Sequence, residues 1–135
     1  MKILSIDPGT GHSGVVLWSA ESGVLLHCTT ESLFQLSAAV DVLEYDAAII
    51  EEPPVVGKRQ QLYFFDVLLD HTRNISAVRT IKPAEWKPMA KAGSWKSPWT
   101  KEQKHTIHEV DAYNMLRWCL IDLYHKNILR TAWTI

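Results

Sequence analysis

Residues 1–18 read MKILSIDPGTGHSGVVLW, and their order decides the fold. An apolar run at 3–6 stops on an acid, Asp7. Pro8-Gly9-Thr10-Gly11 follows, and a second apolar run at 14–18 reads as the returning strand of a hairpin. A carboxylate at the end of a strand buried on both faces costs free energy unless something cationic meets it. Asp7 therefore asks for a metal or a basic partner.

Working outward, Ser19-Ala20-Glu21-Ser22-Gly23 is a turn, and 24–29 gives a third strand, so the first thirty residues form an antiparallel meander. Ser32 with Gln35 has the form of a capping box, and Leu33, Leu36, Val40 and Leu43 follow at helical spacing. Residues 47–50 are a short, wholly apolar strand that again stops on acids, Glu51 and Glu52, before Pro53-Pro54. A helix between an antiparallel meander and a new buried strand implies a crossover, hence a mixed sheet with that strand parallel to a neighbour. A second helix over 58–74 carries a broad apolar surface. The plain reading buries it on both sides within the monomer; the alternative gives one face to a second subunit. Residues 75–81 suit a fifth strand. Residues 83–104, with three prolines and a glycine, suit a loop with short helical turns, and a last helix spans 106–124. Its stripe is Ala112, Met115, Leu116, Cys119, Leu120 and Leu123.

With 135 residues and 47% hydrophobic content, the chain suits one domain over 1–135. It holds no apolar run of membrane-spanning length and no signal-peptide pattern, so a membrane partner is not expected. Cys28 and Cys119 lack ligand-like spacing, which suits a reducing cytoplasm and argues against a disulfide framework or a zinc site. The net charge of −1 hides an asymmetry: residues 82–104 hold six lysines and two glutamates, a local +4, leaving −5 elsewhere. Trp86, Trp95 and Trp99 fall in that basic segment, either tucked onto the core in a solvated loop or offering faces to unpaired bases while lysines neutralise phosphates. Lys87, Lys96 and Lys104 are candidates for a lysine near a scissile phosphate. Lys58 and Arg59 could hold a phosphate at the start of the second helix.

Asp7 ends the first strand and Glu51 or Glu52 the fourth, while His108 and Asp111 lie three residues apart at the start of the last helix, on one helical face. If that helix packs across the strand ends, three carboxylates and an imidazole converge. Such a set can hold two divalent cations for phosphodiester hydrolysis, one activating water and the other stabilising the leaving oxygen, roughly 3.5–4 Å apart. Oxygen-rich ligands favour Mg2+ or Mn2+ over zinc. Each residue also has a plainer role: Asp7 as a turn cap, His108 as a polar helix start, Asp111 as a first-turn acid.

The three motifs together resemble the RuvC branch of Holliday-junction resolvases within the RNase H-like superfamily. The resemblance rests on Ile-Asp-Pro-Gly-Thr with Gly14 on the returning strand, Ala-Ile-Ile-Glu-Glu at 48–52 and His-Glu-Val-Asp-Ala at 108–112, in family order. It implies an α/β fold with a five-stranded mixed sheet, three strands antiparallel and two parallel, flanked by helices. It further implies a metal-binding tetrad of Asp7, Glu51, His108 and Asp111, with Glu52 as an alternate acid. The expected activity is Mg2+-dependent, two-ion cleavage of branched DNA, the four-way junction above all, by a homodimer in a bacterial or phage-infected cell. Two departures mark a compact phage-type or divergent member. Pro53-Pro54-Val55-Val56-Gly57 stands where the family carries an aromatic wedge, with Tyr63 and Phe64 far along. The segment before the last helix is short, and a helix the family has there is missing from this reading. Other classes remain open: a nuclease acting on structured RNA, a non-catalytic nucleic-acid-binding module, or an actin-like phosphate-binding lobe, which would need a second lobe.

Overall fold

The computed structural model describes residues 1–9, 11–53, 59–74, 76–92 and 105–125. Strands β1 (Lys2–Pro8), β2 (His12–Ser19) and β3 (Val24–Ser32) form the meander, closed by a turn in which Gly23 takes φ 66°. Helix α1 (Leu33–Asp41), β4 (Ala47–Glu51), α2 (Arg59–Arg73), β5 (Ala77–Ile81), α3 (Pro83–Ala92) and α4 (Ile107–His125) follow. The sheet has five strands in the order β3-β2-β1-β4-β5. Its first two pairings are antiparallel, and β4 lies parallel to both β1 and β5, the mixed arrangement expected from the crossover.

Side-chain alternation along the central strands separates two cores. Ile3, Val16, Ala47, Ile49 and Ile81 face α3 and α4, where Trp86, Ala112, Met115, Leu116 and Cys119 complete the layer. Leu4, Ile6, Val15, Leu17, Ala48 and Ile50 face the other way, against Leu36, Val40 and Leu68 of α1 and α2. β1 and β4 are thus buried on both faces, which is why their interiors are apolar up to the terminal acids, Ser5 excepted.

Two features dock α4. A Cβ built on Gly14 would overlap the carbonyl of His108, so only glycine lets the helix backbone approach β2 this closely. The buried Ser5 hydroxyl donates to the Ala112 carbonyl at 2.7 Å, one polar tie inside an apolar interface.

The structure corrects several expectations. Residues 83–92 are a helix rather than a loop, so a helix does precede the last one. Pro83 opens it, where a missing N–H costs nothing, and Glu85 accepts from the Lys82 amide at 3.0 Å. Trp86, 1% exposed, supplies the burial that overrides Pro88 inside the helix. Strand β3 runs on to Ser32 because pairing continues to His12↔Ser32. Ser32 makes no side-chain cap, since the strand carries it straight into α1, and that helix ends at Asp41, short of Leu43. Nor is α2 buried on both sides: Leu68 is 1% exposed, but Tyr63 is 64% exposed. The wedge stretch beyond Pro53 lies outside the described residues.

Replacing Gly14 by Ala is expected to destabilise the protein by roughly 1–3 kcal/mol, because the clash is with backbone that cannot rotate away. Ser5→Ala should cost about 1 kcal/mol. Denaturant unfolding of both variants checks the order.

Candidate active site

The parallel register of β1 and β4 runs to Ile6↔Ile50, so the next residue of each strand, Asp7 and Glu51, emerges side by side on the α4 face. Both are nearly enclosed, at 6% and 7% exposed, and their carboxyl groups hydrogen-bond to each other. Trp86 of α3 donates its indole N–H to Glu51 Oε2 at 2.5 Å. From α4, His108 Nδ1 lies 3.5 Å from Asp7 Oδ2. Asp111, one turn on and half-buried, adds a negative charge felt by Asp7. The helix start therefore turns toward the strand ends. Gly9 belongs to the same packing, since a Cβ there would come within 2.9 Å of His108 Cε1.

What sets the rotation of α4 is a capping box. Glu109 N–H donates to Thr106 Oγ1 and Thr106 N–H to Glu109 Oε2, both at 3.2 Å. The Thr-x-x-Glu spacing at 106–109 is the sequence signal for this cap, whereas the pairing of Trp86 with Glu51 joins distant segments and leaves no local signal.

The electrostatics follow from crowding acids in a low-dielectric place. Burial pushes Glu51 up to about 8, and the charge and hydrogen bond of Asp7 add to the shift, against the Trp86 N–H and the Lys87 ammonium. Burial also raises Asp7 to about 6; the hydrogen bond from Glu51 opposes this, Asp111 adds to it and Lys87 reduces it. Asp111 is raised by burial, with Lys87 and His108 working against the rise. Burial thus makes both Asp7 and Glu51 harder to ionise than ordinary carboxyl groups. Lys87 is exposed, lies 5.6 Å from the Trp86 ring, and is a partial counter-charge for three acids. A donor set of carboxylate oxygens with unmet negative charge fits hard divalent cations.

Glu52 does not join this set. It falls on the opposite face of the sheet and accepts from Thr80 Oγ1 at 2.9 Å. Lys58, Trp95, Lys96, Trp99 and Lys104 lie outside the described residues, and Arg59 is described only as the first residue of α2. Trp86, which the basic segment offered for base stacking, is core instead.

With this geometry established, comparison with solved structures is informative. RuvC of Thermus thermophilus superposes with a TM-score of 0.67 at 17% identity, over 94% of this chain and 97% of that one. The chain has the RuvC fold. The T. thermophilus RuvC in complex with Holliday junction substrate gives a TM-score of 0.60 at 16% identity, over 85% of this chain and 89% of that one. The fowlpox virus Holliday junction resolvase also gives 0.60 at 16% identity, over 91% of this chain and all of that one (100%). No protein-family model and no curated protein matches the chain by sequence.

A pH dependence of stability follows from the raised pKa values of the two buried acids. The ordinary values are 4.5 for Glu51 and 3.8 for Asp7, and both are raised on folding. Their contribution is therefore complete below the unfolded values and is lost as pH rises through about 6 and about 8. Chelator-treated protein should melt at a lower temperature near pH 9 than near pH 5. Mg2+ should reverse the loss, and Asp7→Asn should flatten the slope in differential scanning fluorimetry.

Proposed function

We propose that this chain is a metal-dependent endonuclease of the RuvC type, a single nuclease domain over 1–135 that hydrolyses phosphodiester bonds in branched DNA and resolves four-way junctions. The observation that carries the proposal is the pair Asp7 and Glu51, buried side by side at neighbouring strand ends, with His108 3.5 Å from Asp7. A module that only bound nucleic acid would have no use for two enclosed carboxyl groups that burial makes hard to ionise. One structural relative is a RuvC in complex with Holliday junction substrate and another is a viral Holliday junction resolvase, which favours the junction as substrate.

Asp7, Glu51, Asp111 and the His108 imidazole would hold two Mg2+ ions, or Mn2+. Bound there, the ions supply the activation of water and the stabilisation of the leaving oxygen. The chain's own groups prepare the site. The Trp86 N–H fixes one oxygen of Glu51 and leaves the carboxyl directed at Asp7. Burial in the strand-end recess excludes bulk water and strengthens every charge interaction in it. Lys87, exposed beside the acids, is suited to meet a phosphate oxygen as DNA arrives.

The proposed homodimer rests on α2 and its surroundings. Leu62 and Val67 are 37% and 38% exposed, and Phe34 and Val42, on and just after α1, are 77% and 81% exposed. Such an apolar area suits a second copy. Val67→Lys should shift sedimentation toward the monomer.

Asp7→Asn should abolish Mg2+-dependent cleavage and leave junction binding largely intact. The assay is a panel of four-way junction, flap, duplex and RNA:DNA hybrid, each with Mg2+, Mn2+ or chelator. Cleavage that survives Asp7→Asn removes the assignment, and preference for the hybrid replaces the junction by an RNA substrate.

A further inference from the structure

Helix α4 begins with two working faces. His108 and Asp111 serve the recess above, whereas His105, just before the helix, and Glu109 in its first turn share another side. There they meet Cys28 of β3. Cys28 Sγ lies 3.7 Å from His105 Nδ1, which lies 2.9 Å from Glu109 Oε2. One ligand atom from each of the three falls within 4.8 Å of the other two. Among the described residues the acids Asp7, Glu51 and Asp111 with His108 form no such closed group.

We propose that Cys28, His105 and Glu109 form a second metal site, selective for zinc, that ties strand β3 to the first turn of α4. The donor set decides the ion. A thiolate sulfur, an imidazole nitrogen and a carboxylate oxygen suit zinc, whereas Mg2+ and Mn2+ take oxygen. Tetrahedral zinc with bonds of roughly 2.0–2.3 Å holds its ligand atoms about 3.2–3.7 Å apart. The sulfur–nitrogen distance of 3.7 Å already matches, and the nitrogen–oxygen distance of 2.9 Å needs to open only slightly.

A surrounding shell is in place. Thr30 Oγ1 donates to Glu109 Oε1 at 3.1 Å, and the Thr106 amide to Oε2 at 3.2 Å, so the carboxylate is held before any ion arrives. The side chains of His105 and Glu109 are 18% and 11% exposed, enough for an ion to enter and for water to be a fourth ligand. The cysteines lack ligand-like spacing because Cys28 and His105 are 77 positions apart. Only the packing of α4 on β3 unites them. The site is separate from the proposed nuclease centre and stands whether or not that reading does.

The test uses the full chain, loaded with zinc or with Co2+ and dialysed. Elemental analysis should find about one zinc per chain, and the Co2+ form should show a thiolate-to-metal charge-transfer band. Cys28→Ser should abolish the band and Cys119→Ser should keep it, with circular dichroism reporting that each is folded. Thr30→Val should weaken zinc binding about 10–100-fold. Asp7→Asn should retain the zinc, which separates this site from the nuclease assignment. A wild-type chain that keeps no zinc and shows no thiolate band overturns the proposal, as does a band that survives Cys28→Ser.

Discussion

The contact on which the rest depends is the seating of the first turn of α4 against Gly14 of β2. Because no side chain stands between them, the helix start comes down to the level of the sheet, and His108 reaches Asp7 from above. The same residue pair explains the placing of the glycine: Gly14 is the cross-strand partner of Asp7. The acid and the space for the helix that faces it are set by one rung of the ladder. Ser5, two residues earlier on the same face, ties the helix one turn further along.

That seating creates a conflict as well as a site. Two carboxyl groups are enclosed at adjacent strand ends, and neither the exposed ammonium of Lys87 nor the indole of Trp86 fully offsets the cost. A protein built only for stability would place apolar residues there, as β4 does along the rest of its length and β1 does apart from Lys2 and the hydrogen-bonded Ser5. Local unfavourable electrostatics in an otherwise consistent core is what a functional site looks like physically.

The start of α4 also concentrates polar organisation. Thr106 and Glu109 cap the helix, Thr30 of β3 reaches both of them, and His105 and Cys28 complete the cluster. Strand β3 is an edge strand, and this network covers the end of it with a helix terminus. Position around the helix start separates the roles: His105, just before α4, and Glu109 meet the edge strand, while His108 and Asp111 face the central strands.

By itself the sequence determined every element type but that of α3, and the mixed character of the sheet. Apolar runs ending on Asp7 and Glu51, a meander followed by a crossover, and helical spacing in α1, α2 and α4 are local patterns with a fixed period, so they survive without tertiary information. The pairing of His108 with Asp111 was legible for the same reason. Tertiary structure alone decided the rest. Helix α3 forms around a proline because burying Trp86 outweighs local propensity. Glu51, which the family resemblance implies ahead of Glu52, lies beside Asp7, and the pleat that turns Glu52 to the opposite face toward Thr80 is the physical reason. The joining of Cys28 to His105 and Glu109 belongs with these, since proximity between distant segments is a property of packing and leaves no period in the chain.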